Sequence, residues 1–65
     1  MPRYQLKLAY ADGHEASQDH YAYSMLRVGD RILLAADEWR VERTRPADDW
    51  RYAAKLECRL EGQDA

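Results

Sequence analysis

His14, His20 and Cys58 are the chain's soft metal ligands, and Cys58 is its single thiol. Zinc takes three or four such ligands at recognisable spacings, often opened by a CxxC pair. No CxxC occurs here, and five residues separate the two histidines. They are read as turn and surface histidines, so neither a metal nor a cofactor is expected. A nucleophilic cysteine needs a histidine beside it and an electropositive, partly open setting. Cys58 instead falls on the apolar side of an alternating run, where cysteine behaves as a small hydrophobe. Asp12, Asp19, Asp30, Asp37, Asp48 and Asp49 mostly occupy turn-like segments, where aspartate accepts backbone hydrogen bonds. The Asp48-Asp49 pair could hold a cation, but a loop role is preferred. With no nucleophile–base or carboxylate pair in a recognisable setting, no catalytic residue is assigned and the protein is not expected to be an enzyme.

Two other groups carry more binding chemistry. Arg40, Arg51, Lys55 and Arg59 would share one outer face, a surface able to meet RNA or single-stranded nucleic acid. Glu42 and Glu57 interrupt that face and can pair diagonally with its arginines, so a salt-bridged, solvated surface is preferred. The second group is aromatic. Tyr10, Tyr21, Tyr23, Trp39, Trp50 and Tyr52 are many rings for a small core that lacks phenylalanine. Tyrosine and tryptophan join apolar area to a polar tip and collect at binding surfaces, including grooves for extended peptides. Filling the core is the competing use and is given more weight.

The elements that position these side chains read as strands. In Trp50 to Leu60, apolar residues recur at every second position, with Arg51, Lys55, Glu57 and Arg59 between them. That is the period of a strand with one dry and one wet face. A helix capped by Asp48 or Asp49 and ended by Gly62 is the competitor. At about 100° per residue, however, its apolar positions would scatter and Glu57 would fall among them. Arg3 to Tyr10 alternates in the same way, and Asp12-Gly13 turns the chain. Strands are expected near 3–11, 19–24, 31–36, 39–45 and 50–60, with Gly29-Asp30 marking a further turn. His14 to Gln18 reads as loop or the start of a strand. A tight turn at Asp37-Glu38 would set Leu34 opposite Val41 and Ile32 opposite Arg43. A four-residue loop from Pro46 to Asp49 would set Trp39 opposite Leu56 and Arg45 opposite Trp50. In this register Arg43 and Arg45 cover Tyr52 and Trp50 as cation–π pairs at the open end of the inner face. Leu33 faces outward with no core role.

The chain is 65 residues long, enough for one small domain, which buries only about 60% of the surface its unfolded form exposes. A net charge of −2, with 34% charged residues of both signs, argues mildly against bulk attraction to DNA or membrane. At 46% hydrophobic and 11% aromatic, the composition is that of a folded chain. One unpaired, buried thiol favours a reducing compartment, and a cytoplasmic location is expected. No signal peptide, lipidation motif or membrane-length apolar run is evident, so neither export nor membrane insertion is expected.

Five short strands joined by tight turns predict an all-β fold, a five-stranded antiparallel barrel or strongly curled sheet. The run VGDRILLAADEWRVERTRP resembles the middle hairpin of SH3-like small barrels, where Gly-Asp often precedes a strand. The resemblance covers less than a third of the chain and implies an interaction module by analogy of fold. The expected function is therefore non-catalytic binding of a protein or peptide, through Trp39, Arg43, Arg45, Trp50 and Tyr52. Self-association into a symmetric homodimer, through a strand edge or Leu33 with neighbouring aromatics, uses the same class of surface. The alternative is a nucleic-acid-binding protein using Arg40, Arg51, Lys55 and Arg59.

Overall fold

The computed structural model describes residues 1–61, and the fold is all-β. The strands are β1 (Arg3–Ala9), β2 (Glu15–Tyr21), β3 (Arg31–Leu34), β4 (Asp37–Arg45) and β5 (Ala54–Glu61). They form one sheet in the order β2-β1-β5-β4-β3, curled through 213° into a half-barrel. The sheet is mixed, not antiparallel throughout as the sequence suggested: β1 and β5 run parallel, with Leu6 beside Leu56 and Leu8 beside Cys58. The curl stays open between the free edges of β2 and β3. The chain from Ala22 to Asp30 crosses between these strands, with Ala22 buried and Leu26 packed on the core.

The concave face holds the core. Tyr4, Leu6 and Leu8 of β1 meet Leu56 and Cys58 of β5, Trp39 and Val41 of β4, and Ile32 of β3. Each strand contributes every second residue, as the two-residue period requires. The alternation of β5 thus belongs to a strand and not a helix, although it starts at Ala54 instead of Trp50. Gly62, the residue that would have ended such a helix, lies outside the described residues.

The turns explain where the strands depart from their expected bounds. Gly13 adopts φ +90°, and the Tyr10 amide donates to the His14 carbonyl at 2.8 Å, so β2 begins at Glu15 and not near residue 19. It ends at Tyr21, while β1 ends at Ala9, short of Ala11. This register puts His20 and Ala22 on the concave side and sends Tyr21 outward. Gly29 adopts φ +96°, where a side chain is disfavoured. The Asp30 carboxylate there accepts from the Arg27 amide at 2.7 Å.

The β3–β4 turn is at Ala35-Ala36, not Asp37-Glu38. Both alanines take positive φ, 49° and 75°, the backbone pattern of a two-residue hairpin turn normally built from asparagine and glycine. Ile32 consequently pairs with Trp39, not Arg43, and Leu34 pairs with Asp37, not Val41. On the other side of β4, Trp39 pairs with Leu60 instead of Leu56. The β4–β5 connection is longer than four residues, running from Pro46 to Ala53.

A bulge in β4 follows Val41. Val41 pairs with Cys58 and Arg43 with Glu57, leaving Glu42 as the extra residue. One inserted residue moves every later side chain to the other face. Arg43 and Arg45 therefore project from the convex face. The inner-face position expected for them is overturned.

Candidate functional site

Trp50, Tyr52, Arg51, Arg3 and Tyr21 converge at one corner of the sheet. Two contacts hold the corner together. The Ala53 amide donates to the Arg3 carbonyl at 2.7 Å, fastening the β4–β5 connection to the start of β1. The Tyr52 amide donates to the Asp49 carbonyl at 3.1 Å, closing a turn with Trp50 and Arg51 at its tip. Trp50 is 92% exposed at that tip.

Side chains brace the same turn. Arg51 Nε and Nη2 donate to the Asp49 carboxylate at 3.0 and 2.5 Å, and the Arg51 amide donates to Asp49 Oδ1 at 2.9 Å. The Arg51 guanidinium and then its backbone amide hold the Asp49 carboxyl down at about 2. Next to it, Asp19 accepts from Arg3 Nη2 at 2.6 Å and from the Tyr52 hydroxyl at 2.8 Å. Both bonds, the Arg3 one foremost, keep the Asp19 carboxyl below the usual carboxylate range. The hydrogen bond to Asp19, followed by burial and the Asp19 charge, raises the Tyr52 hydroxyl above its ordinary range.

Arg3 fills the middle. Its guanidinium carbon lies 4.7 Å from the Tyr52 ring centroid and 5.5 Å from that of Tyr21. Arg3 Nε is buried and finds no hydrogen-bond partner among the described residues. A shallow cleft of about 490 Å³ runs over Arg3, Tyr21, Trp50, Arg51 and Tyr52. The arrangement offers flat aromatic faces, two fixed guanidinium groups and an indole N–H, all of which bind without proton transfer or covalent change.

The residues singled out for partner binding are divided by the fold. Trp50 and Tyr52 meet at the corner. Trp39 is 2% exposed and stacks edge-on against Tyr10, with ring centroids 5.0 Å apart, so it belongs to the core. Arg45 bonds Glu57 on the convex face, and Arg43 pairs across from Glu57 in the ladder. Neither arginine covers Tyr52 or Trp50; Arg3 takes that place at Tyr52. Its part was hidden because it depends on the parallel β1–β5 pairing, which no local pattern announces. Tyr21 was visible as an aromatic, but its strand register was needed to bring it here.

The basic set is also divided. Arg40 and Arg59 are paired neighbours on the convex face, whereas Arg51 belongs to the corner turn. Arg59 Nε lies 3.2 Å from Glu42, and Arg40 lies 3.5 Å from Glu61 and 3.6 Å from Glu42. Lys55 Nζ lies 2.7 Å from Asp48, so that carboxylate serves an ion pair and Asp49 serves another. The convex face is a lattice of opposed charges. His14 packs edge-on against Tyr10 in the first turn, whereas His20 sits near the other end of β2. Cys58 is buried between Val41 and Leu8 in the ladders.

Comparison with protein-family models, with curated proteins and with solved structures finds no match to this chain.

Proposed function

We propose that this protein is a small non-catalytic interaction module that binds a protein or peptide partner at the Trp50 corner. The observation that carries this reading is the placement of Trp50. A tryptophan left in water forgoes roughly 2–3 kcal/mol of burial that a core this small could use. Here it stands at the tip of a turn braced by backbone and carboxylate bonds on both sides. Such bracing lowers the ordering cost of binding, and exposed Trp, Tyr and Arg clusters are the usual anchors of interfaces. The likeness to SH3-like barrels adds support by analogy alone, through the small curled sheet and the Gly29-Asp30 turn ahead of β3. A cytoplasmic setting goes with this proposal because the buried Cys58 is unpaired.

Nucleic-acid binding through Arg40, Arg51, Lys55 and Arg59 is the second reading. The carboxylates beside these residues weaken it, since a phosphate ligand would have to displace them. The test is capture from lysate by the wild type and by Trp50→Ala, with thermal melts of both. A captured protein lost from the variant, with the melting temperature unchanged, is the expected outcome. Equal capture by the two removes Trp50 from the site. Capture of nucleic acid that weakens steeply with salt would favour the second reading.

A further inference from the structure

The free edge of β2 borders the Trp50 corner, sharing Tyr21 and Asp19 with it, and runs away from it to Glu15. The Tyr10 amide bonds the His14 carbonyl at 2.8 Å and the Ala22 amide bonds the Pro2 carbonyl at 2.9 Å, one at each end of the β1–β2 ladder. With the continuous register between them, these bonds assign the even-numbered residues of β2 to backbone bonding with β1. The backbone N–H and C=O groups of Glu15, Ser17, Asp19 and Tyr21 therefore point away from β1, where no strand lies among the described residues.

Edges of this kind are usually blunted by charged side chains, lysine above all, or by proline, a bulge or brevity. β3, the other edge, is only four residues long. β2 runs for seven residues, EASQDHY, without lysine, proline or a register shift. Its composition is polar, which limits nonspecific sticking but leaves the hydrogen-bonding row intact.

Charge indicates what fits there. On the convex face β1 carries only positive charge, Arg3 and Lys7, and β2 answers with Asp19 at 2.6 Å and Glu15 at 3.6 Å. The Glu15 side chain stays 55% exposed with one long ion pair to Lys7, whereas Asp19, 44% exposed, is already shared between Arg3 and the Tyr52 hydroxyl. The next column of this ladder would be basic. Beyond Tyr21 a cleft of about 270 Å³, lined by Tyr23, Ile32 and Leu33, offers room for an apolar side chain. A second copy of the chain fits less well, since its own β2 edge brings carboxylates to carboxylates.

We propose that β2 accepts an extended peptide strand carrying lysine or arginine at alternate positions, extending the sheet by one strand. The edge supplies backbone hydrogen bonds, and the Glu15 carboxylate, with the charge of Asp19 along the same face, selects the basic side chains.

The experiment is an amide-resolved titration of the folded protein with a seven-residue peptide alternating arginine and threonine, the length of β2. Shifts and slowed hydrogen exchange are expected at the Ser17, Asp19 and Tyr21 amides, which β1 leaves unbonded. The same peptide with methylated backbone nitrogens, and a version with glutamate for arginine, should each bind about tenfold more weakly or worse. Glu15→Lys should weaken the arginine peptide and improve the glutamate one. Equal binding of the methylated peptide, or shifts confined to the corner turn, would overturn the proposal. Concentration-dependent protection of these amides without peptide would overturn it in favour of self-pairing. Trp50→Ala should leave this titration unchanged, so failure at the edge and failure at the corner are read separately.

Discussion

Trp39 and Trp50 show how far one residue's fate depends on its neighbours. Trp39 lies in β4 with Val41 two residues on, both turned to the concave face, and it fills the largest share of a core without phenylalanine. Trp39→Ala should cost about 3–5 kcal/mol, the whole stability of a domain this size, and leave no cooperative melt. Trp50 has the same alternating surroundings in sequence, but it precedes the strand and contributes nothing to the core. Cys58 obeys its alternation, and burial, with Glu42 adding a little, pushes its thiol from an ordinary 9.0 up to about 11. Native protein should therefore resist thiol reagents and react only on unfolding. The same shift has a pH consequence. An unfolded thiol ionises from about pH 9, the folded one near 11, so stability is full below pH 9 and falls as pH rises through 11. Chemical denaturation at pH 8 and pH 11 should show that loss, smaller in Cys58→Ala.

At the scale of elements, periodicity was legible and register was not. The alternating runs of β1 and β5 marked their dry faces because each has one side in the core. Leu56→Asp is expected to unfold the protein by burying an unpaired charge, whereas Glu57→Lys should cost under about 1 kcal/mol even though it removes the Arg45 partner. Similar melts for the two would contradict the two-faced strand. The β3–β4 turn escaped notice because its residues are alanines, which carry no turn signal. Ala35 and Ala36 hold positive φ only because the hairpin around them imposes it. Replacing them by Asn-Gly should raise stability by about 1–2 kcal/mol, read as a higher melting temperature. The bulge at Glu42 was invisible for a related reason: an extra residue has no composition of its own. It keeps Arg43 and Arg45 out of the core, where a regular strand would have driven them.

At the scale of the whole molecule, the all-β class and strong curl follow from five short, turn-bounded strands, but the pairing of β1 with β5 does not. That pairing is parallel and joins the two ends of the described chain, so no turn residue marks it. It is also what assembles the corner, by bringing Arg3 and Tyr21 to Tyr52 and Trp50. Half of the candidate site was therefore readable as aromatic chemistry, and the other half depended on long-range topology. The central claim is that the braced Trp50 anchors a partner while Trp39 serves the core. The most direct measurement is acrylamide quenching of tryptophan fluorescence, before and after addition of the captured partner. Free protein should show one readily quenched tryptophan and one protected; in the complex both should be protected, with emission shifted to the blue. A Trp50 that stays as quenchable in the complex as in the free protein would contradict the account.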